Sequence, residues 1–143
     1  MKLFTIGFTQ SSAEHFFGRL KDAGVRRLVD VRLNRGSQLS GFAKGGDLAY
    51  FAQALCGIET EAILELAPTP EMLETYRKGR GDWAGYAAKF RRLIAKRRIE
   101  TLDRARLDGA CLLCSEALPH HCHRRIVAEY LREKWGAVEV VDL

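Results

Sequence analysis

The sequence predicts one α/β domain, with a mostly parallel central sheet and helices on both faces in Rossmann-like layering. Three observations predict it. Short apolar runs alternate with stretches of helical periodicity, which is the pattern of parallel crossover units. The runs at 27–31 and 110–114 are apolar with little polar alternation, as strands buried on both faces are. Glycine or a capping residue stands at most of the junctions between them. With 143 residues the chain has the length of a single domain spanning 1–143, and a core large enough to fold without disulfides.

The elements follow in order. Leu3-Phe4-Thr5-Ile6 is a strand closed by Gly7, and Ser11-Ser12-Ala13-Glu14 reads as a capping box opening a helix through Leu20. Gly24 closes that helix, and Arg27 to Val31 is a second strand whose carboxyl end runs into Arg32-Leu33-Asn34-Arg35-Gly36-Ser37. Residues 36–46 are mostly small or polar, a loop that reads equally as a lid or as a plain connection. Asp47 is placed to cap a helix from Leu48 to Leu55 that stops at Gly57. Ala62 to Leu66 reads as a third strand, and Thr69-Pro70-Glu71 as a helix start with proline at its favoured first position. Trp83, Tyr86, Ala87, Phe90, Leu93 and Ile94 recur at spacings of three and four, a core-facing stripe, while Lys89, Arg91, Arg92 and Lys96 fall largely off it. A shorter helical stretch through Leu102 and Leu107 precedes Gly109. Ala110 to Cys114 is a buried strand, Arg124 to Lys134 a helix, and Val138 to Val141 the last strand. In such a sheet ligands bind beyond the carboxyl ends of the strands, where the loops after Ile6 and Val31 and the connection from Cys114 to Arg125 converge.

Composition excludes several classes. Hydrophobic residues at 47% and only 3 prolines rule out a disordered or low-complexity chain. No apolar run approaches the roughly 18 residues of a membrane span, and the first residues lack a secretory apolar region, so a cytoplasmic protein without membrane contact is expected. Cys56 stands alone while Cys111, Cys114 and Cys122 cluster, which fits reduced thiols with local chemistry better than a disulfide framework. The net charge of +5 is concentrated in residues 77–106, whose eleven Lys and Arg face only Asp82, Glu100 and Asp103. That segment is a solvated helix face or a nucleic-acid surface, and its aromatics lie on the wrong side to stack bases.

The chemistry gathers near the second cysteine cluster. Along a strand Cys114 and Glu116 point the same way, while Cys111 points to the other face and reads as packing. Cys122-His123-Arg124 falls in the first turn of the next helix, where free amides and the dipole favour a thiolate or a bound anion. Glu116 and His123 are an acid/base pair or a loop tether, and Asp30 and Arg32 a strand-end ion pair or part of the site. Four zinc ligands in the order C-x-x-C, C-H are disfavoured. The first pair diverges on a strand, and adjacent helical residues lie about 100° apart. No metal ligand is therefore assigned. The arrangement of phosphatases and rhodaneses, a cysteine, five loop residues and an arginine, is absent, since the sixth residue after Cys114 is His120.

Thr5-Ile6-Gly7, Val29-Asp30-Val31-Arg32, Glu65-Leu66-Ala67-Pro68-Thr69 and Cys111-Leu112-Leu113-Cys114-Ser115-Glu116 with Cys122-His123-Arg124 together resemble the domain-of-unknown-function 488 family over nearly the whole chain. The resemblance implies a small α/β domain with polar motif residues at one sheet edge, and brings no settled activity or cofactor. Gly7, Asp30, Arg32, Cys114, Glu116, Cys122, His123 and Arg124 occupy motif positions. Cys111 stands where the family commonly has an aliphatic residue, and Phe8 where it often has histidine.

The expected function is a small enzyme for an anionic or nucleotide-like substrate. Cys114 or Cys122 would be the reactive thiol or metal ligand, Glu116 and His123 would move protons, and Gly7, Asp30, Arg32, Arg35 and Arg124 would line the anion site. The alternatives are a nucleic-acid-associated accessory domain using residues 77–106, and a non-catalytic metal or redox module on Cys114, Cys122 and His123.

Overall fold

Alternation of side chains along buried strands decides this architecture. In the computed structural model, which describes residues 1–9, 11–33, 41–43, 45–78, 82–114 and 122–143, five strands form one parallel sheet. They are β1 (Lys2–Gly7), β2 (Arg27–Asp30), β3 (Glu59–Ala62), β4 (Ala110–Cys114) and β5 (Glu139–Asp142), in the order β3-β2-β4-β1-β5. Six α-helices are described: α1 (Ala13–Asp22), α2 (Gly45–Cys56), α3 (Pro70–Lys78), α4 (Trp83–Arg97), α5 (Arg104–Leu107) and α6 (His123–Trp135). None of them is long and apolar enough to cross a membrane.

The two cores are sorted by residue parity. Cys111 and Leu113 of β4 join Phe4, Ile6 and Leu28 under Phe16, Phe17 and Leu20 of α1 and Leu48 and Ala52 of α2. Leu112 and Cys114 point the other way, with Leu3, Val29 and Val31, against Phe90 and Ile94 of α4 and Val127 and Leu131 of α6. Full burial of each such side chain contributes about 1.5–3 kcal/mol. The helices thus cover both faces, as the sequence predicts.

Helix starts are fixed by side-chain caps. Ser12 accepts from the His15 amide at 3.1 Å, Thr69 from Met72 at 3.2 Å and Asp82 from Gly85 at 3.2 Å. A Cβ on Gly85 would lie 2.5 Å from Asp82 Oδ2, so any larger residue there would make the capping carboxylate shift.

Several boundaries differ from the sequence reading. The cap of α1 is Ser12, so Ser11 and Glu14 do not form a capping box; Glu14 sits in the first turn and favours the dipole instead. Helix α2 begins at Gly45, which places Asp47 inside its first turn. The third strand is the polar run Glu59–Ala62, and Leu64–Leu66 is a 3-10 turn. The reason is that β3 is an edge strand with partly exposed side chains, whereas Ile63 and Leu66 are apolar because they pack into the core from a turn. The candidate lid at 36–46 lies largely outside the described residues. Within it only the 3-10 turn Gly41–Ala43 and the start of α2 are described.

Candidate functional site

At β4 the connection leaves for the opposite face of the sheet from those of its two neighbours. The connection leaving β1 goes to α1 and that leaving β2 to α2, on one face, while the connection leaving β4 goes to α6 on the other. A crevice opens at the carboxyl ends where neighbouring connections part in this way. Gly7 of β1 pairs with Cys114, the last residue of β4.

Into this edge α6 delivers its first residue, His123. Its Nε2 lies 2.6 Å from the Val31 carbonyl oxygen and Nδ1 lies 3.6 Å from Cys114 Sγ. A carbonyl only accepts, so Nε2 carries the proton and donates it, and the Nδ1 lone pair faces the sulfur. Phe90 packs edge-on against the imidazole, 5.4 Å between centroids at 77°. The ring is held from two sides.

Cys122 is the N-cap of α6, with extended backbone at φ −131° and ψ 137°, and its side chain makes no capping bond. Its thiol turns to Cys114 instead. The hydrogen bond to Cys114 pushes the Cys122 thiol upward, burial adds to this, and His123 pulls the other way. Each of the two sulfurs thus meets both the other thiol and the His123 ring. The two sulfurs and a ring nitrogen of His123 all lie within 4.8 Å of one another, and all three residues are buried. Adjacent helical residues would diverge, but Cys122 stands one position outside the helix, so the divergence that argued against joint ligation does not arise. Cys111 faces the opposite core, its thiol pushed up by burial.

A cationic group occupies the α1 side of the same edge. Asp30 Oδ1 accepts from the Arg32 amide at 3.0 Å and from Nε at 2.9 Å, and Oδ2 accepts from Nη2 at 2.7 Å. The guanidinium lies 5.2 Å from the centroid of the Phe8 ring. Because Arg32 follows β2 and Phe8 follows β1, with β4 between them, this side chain spans the exit of β4. Arg124 is fully buried. Arg19, from α1, donates to the Gly7 carbonyl at 3.2 Å and to the main-chain oxygen of Leu143 at 3.0 Å. Burial lowers its pKa, Cys111 opposes this, and the charge of Arg124 adds a smaller lowering.

The structure therefore brings together Cys114, Cys122 and His123, and joins Asp30 to Arg32 beside them, with Gly7 and Arg124 at the same edge. Glu116 and Arg35 lie outside the described residues. Sequence reasoning missed three contributors. The Val31 carbonyl has no side-chain signal at all, and Arg19 reads only as a basic residue near the end of a helix. Phe8 is singled out only as the residue standing where the family often has histidine, and its packing against Arg32 is not foreseen.

The sequence profile of the family DUF488, a domain of unknown function, matches residues 12–131. This chain belongs to the DUF488 family. No curated protein and no solved structure matches it. The DUF488 match takes in Asp30, Arg32, Cys114, Cys122, His123 and Arg124. Gly7 and Phe8 lie before it.

Proposed function

We propose that this DUF488 protein is a small enzyme acting on an anionic substrate at the carboxyl edge of its sheet, with a zinc-class metal ion held by Cys114, Cys122 and His123. The observation that carries the reading is the convergence of two sulfurs and a ring nitrogen within 4.8 Å. Thiolate and imidazole are the donors that soft and borderline ions select. A hydrogen bond from the far ring nitrogen to a backbone carbonyl is the usual way a ligating histidine is oriented, and Val31 supplies it here. Among the described residues there are three ligands, and three protein ligands with water or substrate in the fourth position is the coordination of catalytic zinc. When bound, the ion would supply Lewis acidity and would lower the pKa of a bound water. The chain's own part is to fix the imidazole, to provide two sulfurs in a water-poor setting, and to hold cations on the other side of β4. Glu116, two residues past Cys114, remains the proposed proton carrier.

The 3.6 Å approach of Cys114 to His123 favours a second reading, metal-free thiol chemistry in which Nδ1 takes the Cys114 proton. The nucleic-acid alternative has less support. Within 77–106, Arg91 pairs with Glu133, Arg106 with Glu61, Lys78 with Glu74, and Arg97 donates to the carbonyls of Glu65 and Ala67.

The test is elemental analysis of protein purified without chelator and reconstituted with Zn(II) or Co(II). Near-stoichiometric metal with thiolate-to-cobalt charge-transfer absorption is expected, and Cys114→Ser, Cys122→Ser and His123→Gln should each lose it. Protein that stays metal-free after reconstitution would reject the metal reading. Rapid labelling of Cys114 in that same protein would move the assignment to the thiol reading.

A further inference from the structure

The cationic side of the edge contains a donor that no described residue engages. Arg32 is 3% exposed, and among the described residues its Nη1 has no hydrogen-bond partner. Leaving a buried donor unmet costs about 1–3 kcal/mol, more when the group is charged, so such an atom calls for an explanation. Side-on pairing of Nε and Nη2 with Asp30 turns Nη1 away from the carboxylate, and the position of the guanidinium against Phe8 puts it over the exit of β4. Just past that exit α6 begins. Its N-cap residue Cys122 gives no side-chain bond to the first-turn amides, and the helix, 13 residues long, carries its dipole to that point. Arg124 follows two residues later, buried and within electrostatic reach of Arg19 and Cys111, which places its charge on the Arg32 side of the sheet. Of the described carboxylates at this edge, Asp30 is engaged by Arg32 and Asp142 accepts from the Thr5 hydroxyl.

We propose that this edge binds a tetrahedral oxyanion, a phosphoryl group of the substrate, between Arg32 Nη1, Arg124 and the opening turn of α6. This rests on the reading of an anionic substrate beside the Cys114-Cys122-His123 centre, and names its charged part. Several converging N–H donors suit an anion with oxygens on all sides, and an arginine already locked by a carboxylate presents its remaining edge without loss of side-chain freedom. Arg19 acts as a positioning residue, tying the ends of β1 and β5 and adding charge behind Arg124.

Inorganic phosphate is the probe, titrated calorimetrically into zinc-reconstituted protein in a low-chloride buffer, with sulfate and chloride in parallel. Phosphate and sulfate should bind and chloride at equal ionic strength should not. Arg32→Lys, which keeps a cation on Asp30 but lacks the planar fork that directs Nη1 away from it, should weaken phosphate binding at least tenfold. The Asp30→Asn/Arg32→Gln double variant, which replaces the ion pair by a neutral hydrogen-bonded pair, should do the same, with folding of each checked by circular dichroism. Unaltered phosphate affinity in both folded variants overturns the proposal, as does no heat with phosphate in protein that has taken up zinc. Phosphate binding by protein that refuses zinc supports this site while rejecting the metal centre, so the two readings fail separately.

Discussion

Replacing Asp30 by alanine should be among the most damaging single changes in this chain. The carboxylate accepts three hydrogen bonds from Arg32, at 3.0, 2.9 and 2.7 Å, and the two side chains are 2% and 3% exposed. Without Asp30 the guanidinium keeps its charge, because arginine does not deprotonate in proteins, and its Nε and Nη2 donors join Nη1 in having no acceptor among the described residues. Breaking a buried pair by removing one partner costs about 3–5 kcal/mol, set against a total of about 5–15 kcal/mol for a domain. With a urea m-value near 2 kcal/mol/M, the midpoint should fall by about 2 M. Equilibrium urea unfolding followed by tryptophan fluorescence measures this. The Asp30→Asn/Arg32→Gln double variant should recover most of the loss, since a neutral hydrogen-bonded pair leaves no uncompensated charge. A loss below about 1 kcal/mol for Asp30→Ala, the size of an exposed pair, would refute the reasoning.

Two further outcomes follow from the same geometry. Cys111 and Cys122 hold their protons above the ordinary thiol value of 9.0, so above that pH the unfolded chain releases protons that the native state retains. Their stabilising contribution is present in full below pH 9 and declines as pH rises past it, by up to about 1.4 kcal/mol per pH unit for each thiol. Urea midpoints of metal-free protein should therefore drop between pH 8.5 and 10.5, and Cys111→Val should flatten the profile; a pH-independent midpoint contradicts the burial argument. Phe90 is fully buried and packs edge-on against His123. Phe90→Leu should cost less stability than the about 3–5 kcal/mol of Phe90→Ala, yet both should broaden the His123 ring resonances in NMR spectra, and unchanged resonances would show that Val31 alone fixes the imidazole.

How much of this could be read from residues alone depended on whether a feature is local. Strand β4 was legible to the residue, because Ala110 to Cys114 is buried on both faces and its composition says so. The opposite directions of Cys111 and Cys114 follow from strand alternation and hold. The third strand was misplaced because hydrophobicity reports burial, and an edge strand such as Glu59–Ala62 is less buried than the turn after it. At the site, the grouping of Cys114, Cys122 and His123 was visible in spacing, but its geometry turned on one residue. With Cys122 inside the helix the ligands diverge, and with Cys122 as N-cap they converge. Helix boundaries are uncertain from sequence by more than that single position. The Val31 carbonyl and Arg19 were out of reach, because their roles depend on long-range contacts at the strand ends.

The division of chemistry across β4 has a consequence for how a substrate must lie. Parity sends Val29, Val31 and Cys114 to the α4 and α6 side, and Leu28, Phe4 and Ile6 to the α1 and α2 side. Asp30 and Arg32 share the parity of Leu28, and Arg32 meets Phe8, which packs with that second core. Soft donors and cations thus reach the same edge from opposite faces, separated by a single strand about 4.8 Å from its neighbours. A ligand that uses both must straddle the last residue of β4, with its anionic group toward the arginines and its reacting atom toward the sulfurs. Under the proposed function the guanidiniums would draw the anionic group to their side and leave the ion's open position to the reacting atom. The same proposal would give the buried Asp30–Arg32 pair a purpose beyond stability. A well-packed apolar pair could hold the end of β2 as firmly, but it could not present a fixed N–H donor across the strand.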